Sequence, residues 1–132
     1  MIGLDTNVLA RAILVDDPIW TPKAQRFLVH EITAESPGYV NLVTLAELAW
    51  TLRKSGGFDR SRLADVVVGL LGAENIVVER PDLVSRALSV YRSGGAGFAD
   101  YLIAELNSAA GANCTVTIDA KAGSRPMFTP LS

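Results

Sequence analysis

Cysteine and histidine are nearly missing. Cys114 is the one cysteine and His30 the one histidine among 132 residues. A lone cysteine excludes an internal disulfide, and together the two counts exclude a Cys/His zinc module. Both suit a reducing, cytoplasmic setting. Long apolar runs are missing too, and none approaches the roughly 20 residues of a membrane-spanning helix. The opening MIGLDTN lacks the basic segment and apolar stretch of a signal peptide. An excess of positive charge is also absent. A formal charge of −2 excludes a uniformly basic nucleic-acid coat, while leaving room for a local basic strip. There is no internal repeat, no P-loop and no GxGxxG, so no nucleotide cofactor is implied.

What the chain has is apolar residues, 49% of the total. That is ample for one globular domain over residues 1–132 with a real core. It is high enough that part of the apolar surface is expected to be covered by another chain.

Short apolar segments alternate with segments of helical periodicity. Strands are expected at Ile2–Leu4, Gly38–Asn41, Ile76–Glu79, Cys114–Ile118 and Met127–Thr129. Helices are expected after Asp5-Thr6-Asn7 and from Thr21-Pro22, with Thr21 as N-cap and Pro22 at the first position. Further helices run to Lys54, from Asp59 to Gly72, from Pro81 to Ser93, and from Phe98 to Ala110. Gly56-Gly57 and GGAG (94–97) break the pattern. Alternation of this kind predicts an α/β fold with a central parallel sheet flanked by α-helices. The functional crevice then lies outside the carboxyl ends of the strands.

Four acids belong at that edge: Asp5, Glu47, Asp100 and Asp119. Each has an ordinary reading alone. Asp5 suits a helix N-cap, Asp100 complements a helix N-terminus, and Asp119 suits a turn before Ala120-Lys121. Glu47 shares its stripe with Val43, Thr44, Trp50, Thr51 and Lys54, opposite a core face of Leu42, Leu45, Ala49 and Leu52. A cleft wall or a subunit contact suits such a stripe. Taken together, clustered carboxylates repel one another unless a cation sits among them. An all-oxygen donor set suits Mg²⁺ or Mn²⁺, the ions of phosphoryl chemistry.

LDTNVLAR, Glu47, FADYLIAEL and TVTID, in that order and spacing, resemble the PIN-domain ribonucleases, and within them the VapC-type toxins of toxin–antitoxin pairs. The resemblance spans nearly the whole chain. It implies a PIN-like α/β/α sandwich and an Mg²⁺- or Mn²⁺-dependent endoribonuclease that hydrolyses RNA with a metal-activated water. It places the catalytic and metal-binding quartet on Asp5, Glu47, Asp100 and Asp119, supported by Thr6, Asn7 and Thr117. It implies an RNA substrate, a cognate antitoxin, a homodimer or larger toxin–antitoxin assembly, and no membrane association. Ile118 and Arg125-Pro126 depart from the family's usual phenylalanine and glycine, and these departures touch packing and loop shape.

Arg11, Arg53, Lys54, Arg60, Arg62 and Lys121, with Arg125, are candidates for phosphate contacts, or else part of solvated helix ends. Trp20 and Trp50 are expected in packing or interfaces rather than as base-stacking platforms, and Cys114 as a small buried hydrophobe. Three other classes compete. A haloacid-dehalogenase-type phosphatase needs a second acid where Asn7 stands. A catalytically silent PIN-like binding module does not need the intact quartet. A structure-specific DNA nuclease usually carries extra acids and a helical arch.

Overall fold

Short segments of two or three residues form the strands of the computed structural model, which describes residues 1–132. The chain divides into two compact units, Met1–Glu79 and Arg80–Ser132.

In the first unit, β1 (Ile2–Gly3), β2 (Gly38–Val40) and β3 (Ile76–Val78) pair in parallel, in the order β1-β2-β3. The ladder runs slightly past these limits. Leu4 N–H donates to Tyr39 O at 2.9 Å, and Glu79 N–H donates to Val40 O at 2.9 Å. Helices α1 (Thr6–Leu14) and α2 (Trp20–His30) connect β1 to β2, and α3 (Leu42–Lys54) and α4 (Arg60–Gly72) connect β2 to β3. The core of this unit is aliphatic. Leu9, Val40, Leu45, Leu48, Leu52, Leu63 and Val67 are each at most 2% exposed.

Helix starts follow capping chemistry. Asn41 accepts from Thr44 N–H at 2.7 Å to open α3, and Asp59 accepts from Arg62 N–H at 2.8 Å to open α4. Asn41 is therefore a cap and not the last residue of a strand. Helix α2 departs from expectation. It begins at Trp20 because Asp17 Oδ1 accepts from both Ile19 N–H (2.9 Å) and Trp20 N–H (2.8 Å). Hydrogen bonds from Trp20 first and Ile19 next hold the Asp17 carboxyl below its ordinary value of 3.8. Thr21 does not cap. Its hydroxyl donates to Arg11 O at 2.7 Å, tying α2 to α1. Pro22 falls in the first turn, where a missing N–H costs no intrahelical bond.

In the second unit, α5 (Pro81–Arg92) packs on α6 (Phe98–Ala109). Tyr91 meets Phe98 edge-on at 5.7 Å between ring centroids. Arg86 bridges the pair, with Nε 3.2 Å from Glu105 Oε2. Strand β4 (Thr115–Thr117) passes through a one-turn helix, α7 (Ala120–Gly123), to the parallel strand β5 (Phe128–Pro130). No sequence pattern pointed to α7, whose four residues are too few to show periodicity.

The α/β class and the parallel pairing match the sequence reading. The strands, however, form two sheets of three and two strands where one central sheet was expected. The backbone pairing accounts for this, since β1 hydrogen-bonds to β2 and β4 to β5. Cys114 also differs from expectation. It precedes β4 and is exposed, so it is not a core residue.

Candidate functional site

Asp5 stands at the N-cap position of α1 with extended backbone (φ −82°, ψ 155°), yet its side chain makes no capping bond. Asn41, Asp59 and Asp119 occupy the same position in their own helices and all cap. The ordinary explanation for Asp5 is thus absent, and its carboxylate is exposed. The next residue, Thr6, is 8% exposed and donates its hydroxyl hydrogen to Glu47 Oε1 at 3.1 Å. This bond fixes a carboxylate of α3 beside the start of α1, and the two helices pack together.

The phase of α3 agrees with the sequence argument. Leu42, Leu45, Ala49 and Leu52 are buried, while Val43, Glu47, Trp50 and Lys54 line an exposed face. Thr44 leaves that face and is buried at 7%. Lys54 Nζ lies 5.3 Å from the Trp50 ring centroid. Glu47 itself keeps Oε2 free of hydrogen bonds.

Asp100 and Asp119 lie in the second unit. Asp100 Oδ2 accepts from Gly97 N–H at 3.0 Å, closing the first turn of α6. Tyr101 pins the same loop, donating to Gly94 O at 2.6 Å and accepting from Ala96 N–H at 3.2 Å. Asp119 Oδ1 caps α7 through Lys121 N–H (2.8 Å) and Ala122 N–H (3.1 Å). Thr117 Oγ1 accepts from Asp119 N–H at 3.1 Å and sets the turn that carries the acid. Each of these acids therefore spends one oxygen on a helix N-terminus and keeps the other.

The four acids divide two and two between the units, and neither unit by itself gathers three or more acid, histidine or cysteine side chains into one group. The donor chemistry still fits a hard cation. All four donors are carboxylates, and each retains an oxygen without a hydrogen bond.

Sequence reasoning missed one carboxylate at the strand ends. Glu79 follows β3, and its Oε1 accepts from Leu42 N–H at 2.8 Å, sealing the start of α3 beside the Asn41 cap. Its signal was the same one that marked Asp5 and Asp119, an acid closing an apolar strand.

The basic candidates have different surroundings. Arg11 pairs with Asp16 at 3.2 Å. Arg53 donates to Phe58 O at 3.0 Å, and the Arg62 guanidinium sits 4.0 Å over the Phe58 ring. These two have structural work at the α3–α4 turn. Arg60 is half-buried in the first turn of α4. Lys54 and Lys121 are exposed.

Trp20 and Trp50 are not core residues, being 57% and 61% exposed. Trp20 lines a groove of about 500 Å³ between α1 and α2, together with Asn7, Val8, Arg11, Lys23, Ala24 and Phe27.

Comparison with protein-family models, with curated proteins and with solved structures found no match. No helix is long and apolar enough to cross a membrane.

Proposed function

We propose that this chain is a PIN-like, Mg²⁺- or Mn²⁺-dependent endoribonuclease, the VapC-type toxin of a toxin–antitoxin pair. The reading rests on the sequence motifs. The observation that supports it best is the Asp5–Thr6–Glu47 arrangement, in which Asp5 is released from capping and Glu47 is held by a buried hydroxyl. Neither feature serves the local helices, and both suit a carboxylate pair kept for a ligand.

Asp5, Glu47, Asp100 and Asp119 would hold the cation, which when bound supplies Lewis-acid charge for phosphodiester hydrolysis. Thr6 orients Glu47, and Thr117 sets the backbone of Asp119. Asn7, exposed in the first turn of α1, would add a neutral polar group two residues after Asp5. Lys54, over the Trp50 ring, and Lys121 are exposed and would meet phosphates. The exposed Val43 and Trp50 flanking Glu47 suit cover by a second copy or by an antitoxin, in a cytoplasmic assembly.

A silent binding module of the same fold is the second reading. It is favoured by Asp100 and Asp119, whose capping roles alone explain their presence. RNA cleavage with Mn²⁺, assayed for the unaltered chain and for Asp5→Asn and Asp100→Asn, separates the two. The nuclease reading expects divalent-dependent cleavage that both substitutions abolish. Folded protein that binds RNA without cutting it supports the silent module.

A further inference from the structure

We propose that Arg125 anchors a phosphate of the RNA chain, with its side chain laid across the bare backbone of Gly95. The proposal rests on the ribonuclease reading and names a substrate-binding residue beyond the four acids.

Arg125 is a half-buried cation without an anion. Its Nε is shut off from water and has no hydrogen-bond partner, and no carboxylate lies within ion-pair distance of the guanidinium. Other arginines are served within the chain. Arg11 pairs with Asp16, Arg86 pairs with Glu105, and Arg53 donates to Phe58 O. A buried donor of a charged group left unpaired is costly, and it calls for an explanation. An anion from outside the chain supplies one, because the guanidinium fork matches the paired oxygens of a phosphate.

The side chain has a built seat. A Cβ on Gly95 would stand 2.6 Å from Arg125 Cδ and 2.9 Å from Arg125 Nε, so only a glycine admits the approach. The φ of +85° at Gly95 demands glycine as well. The Tyr101 hydroxyl pins this loop through Gly94 O and Ala96 N–H. The Arg125 backbone is equally fixed. Its N–H donates to Ala122 O at 2.9 Å, and its carbonyl accepts from Phe128 N–H at 3.1 Å. Gly95 is exposed, so the seat lies open to a ligand from solvent.

Position favours a nucleic-acid phosphate over a protein carboxylate. Arg125 joins the two acid-bearing turns of its own unit. The Gly95 loop runs into Gly97, which bonds Asp100, and α7 runs from its Asp119 cap toward Arg125. Lys121 is exposed on that same short helix. Successive phosphates of one strand can use an arginine, a lysine and a cation held by acids, whereas a single carboxylate uses one of them.

The test is equilibrium binding of a single-stranded RNA of about eight nucleotides across a salt series, in EDTA so that no cleavage is needed. Arg125→Met keeps an apolar stem over Gly95 and removes the guanidinium. It should weaken RNA binding roughly tenfold and lower the slope of log K against log salt by about 0.7, one single-strand phosphate contact. It should melt no lower than the unaltered chain, because the unpaired buried donor is gone. Arg125→Lys should keep the slope and recover only part of the affinity, since the fork is lost. Absent RNA binding, or unchanged affinity and slope in folded Arg125→Met, overturns the proposal. A lower melting temperature with unchanged RNA affinity makes Arg125 a packing residue and also overturns it. So does loss of binding to an acidic peptide and not to RNA, which assigns the arginine to a protein partner. RNA held through Arg125 but never cut with Mn²⁺ would sink the nuclease reading alone. Cleavage with the same KM in Arg125→Met and the unaltered chain would sink the anchor alone.

Discussion

The Thr6 hydroxyl reaches Glu47 Oε1 at 3.1 Å across 41 positions of sequence, and it does so from a buried residue. The bond is part-buried, with its acceptor on an exposed face, and it holds the carboxylate in one orientation. Thr6→Val keeps the shape and removes the donor. It should cost about 0.5–1.5 kcal/mol of stability, and lower RNA cleavage and Mn²⁺ affinity by a larger factor. Thr6→Ser should restore both. Chemical denaturation beside cleavage assays separates the two effects, and equal losses in stability and activity would make Thr6 a packing residue only.

Asp5 and Asp119 share a helix position and differ in duty. Asp5→Asn should leave stability unchanged, since no cap bond is lost, while abolishing cleavage. Asp119→Ala removes an acceptor from two N–H groups and should destabilise by about 0.5–2 kcal/mol. Thermal melts of the two variants check the contrast. A large melting loss in Asp5→Asn would return that residue to capping.

Asp17 predicts an acid-sensitive helix start. Its folded pKa lies below 3.8, so its bonds to Ile19 and Trp20 stabilise α2 above that pH. The contribution fades as pH falls from about 3.8 through the lower folded value. In Trp50→Phe protein, Trp20 emission should shift over that range. Asp17→Asn keeps an acceptor without a titrating charge and should flatten the shift. An identical acid limb in both proteins would contradict this.

Much of this was legible because the signals are local. Asp59, Gly56-Gly57 and Pro81 mark their helix boundaries by local capping and turn chemistry, and the phase of Leu42, Leu45, Ala49 and Leu52 located the core face of α3. The start of α2 misled because Thr21-Pro22 carries a strong capping pattern, while the acceptor actually used, Asp17, sits further back across Pro18. The exposure of Cys114 and Trp20 was not legible, because an apolar or aromatic side chain gives no sign of what lies opposite it. The Thr6–Glu47 bond is tertiary, and no local pattern could pair those two residues. The four acids were found by motif, whereas the capping duties of Asp100 and Asp119 emerged only from hydrogen bonds.

The Arg86–Glu105 pair gives a stability prediction independent of function. Glu105 has an 11% exposed side chain, and Arg86 Nε is its partner at 3.2 Å. Arg86→Ala strands that carboxylate and should cost about 1–3 kcal/mol. Arg86→Ala combined with Glu105→Gln should recover part of the loss, because the remaining buried group is neutral. Denaturation midpoints of the single and double variants measure the coupling, and additive losses would show that the pair is not coupled.

The central claim is that Glu47 is held by Thr6 to serve a cation, and Glu47→Gln tests it most directly. Glutamine retains the acceptor for Thr6 and removes only the charge, so the fold should be preserved. The measurement is an Mn²⁺ titration of the folded variant alongside its RNA cleavage rate. A carboxylate ligand predicts weakened Mn²⁺ affinity and cleavage reduced by orders of magnitude, partly rescued by excess Mn²⁺. Unchanged affinity and unchanged cleavage would contradict the account.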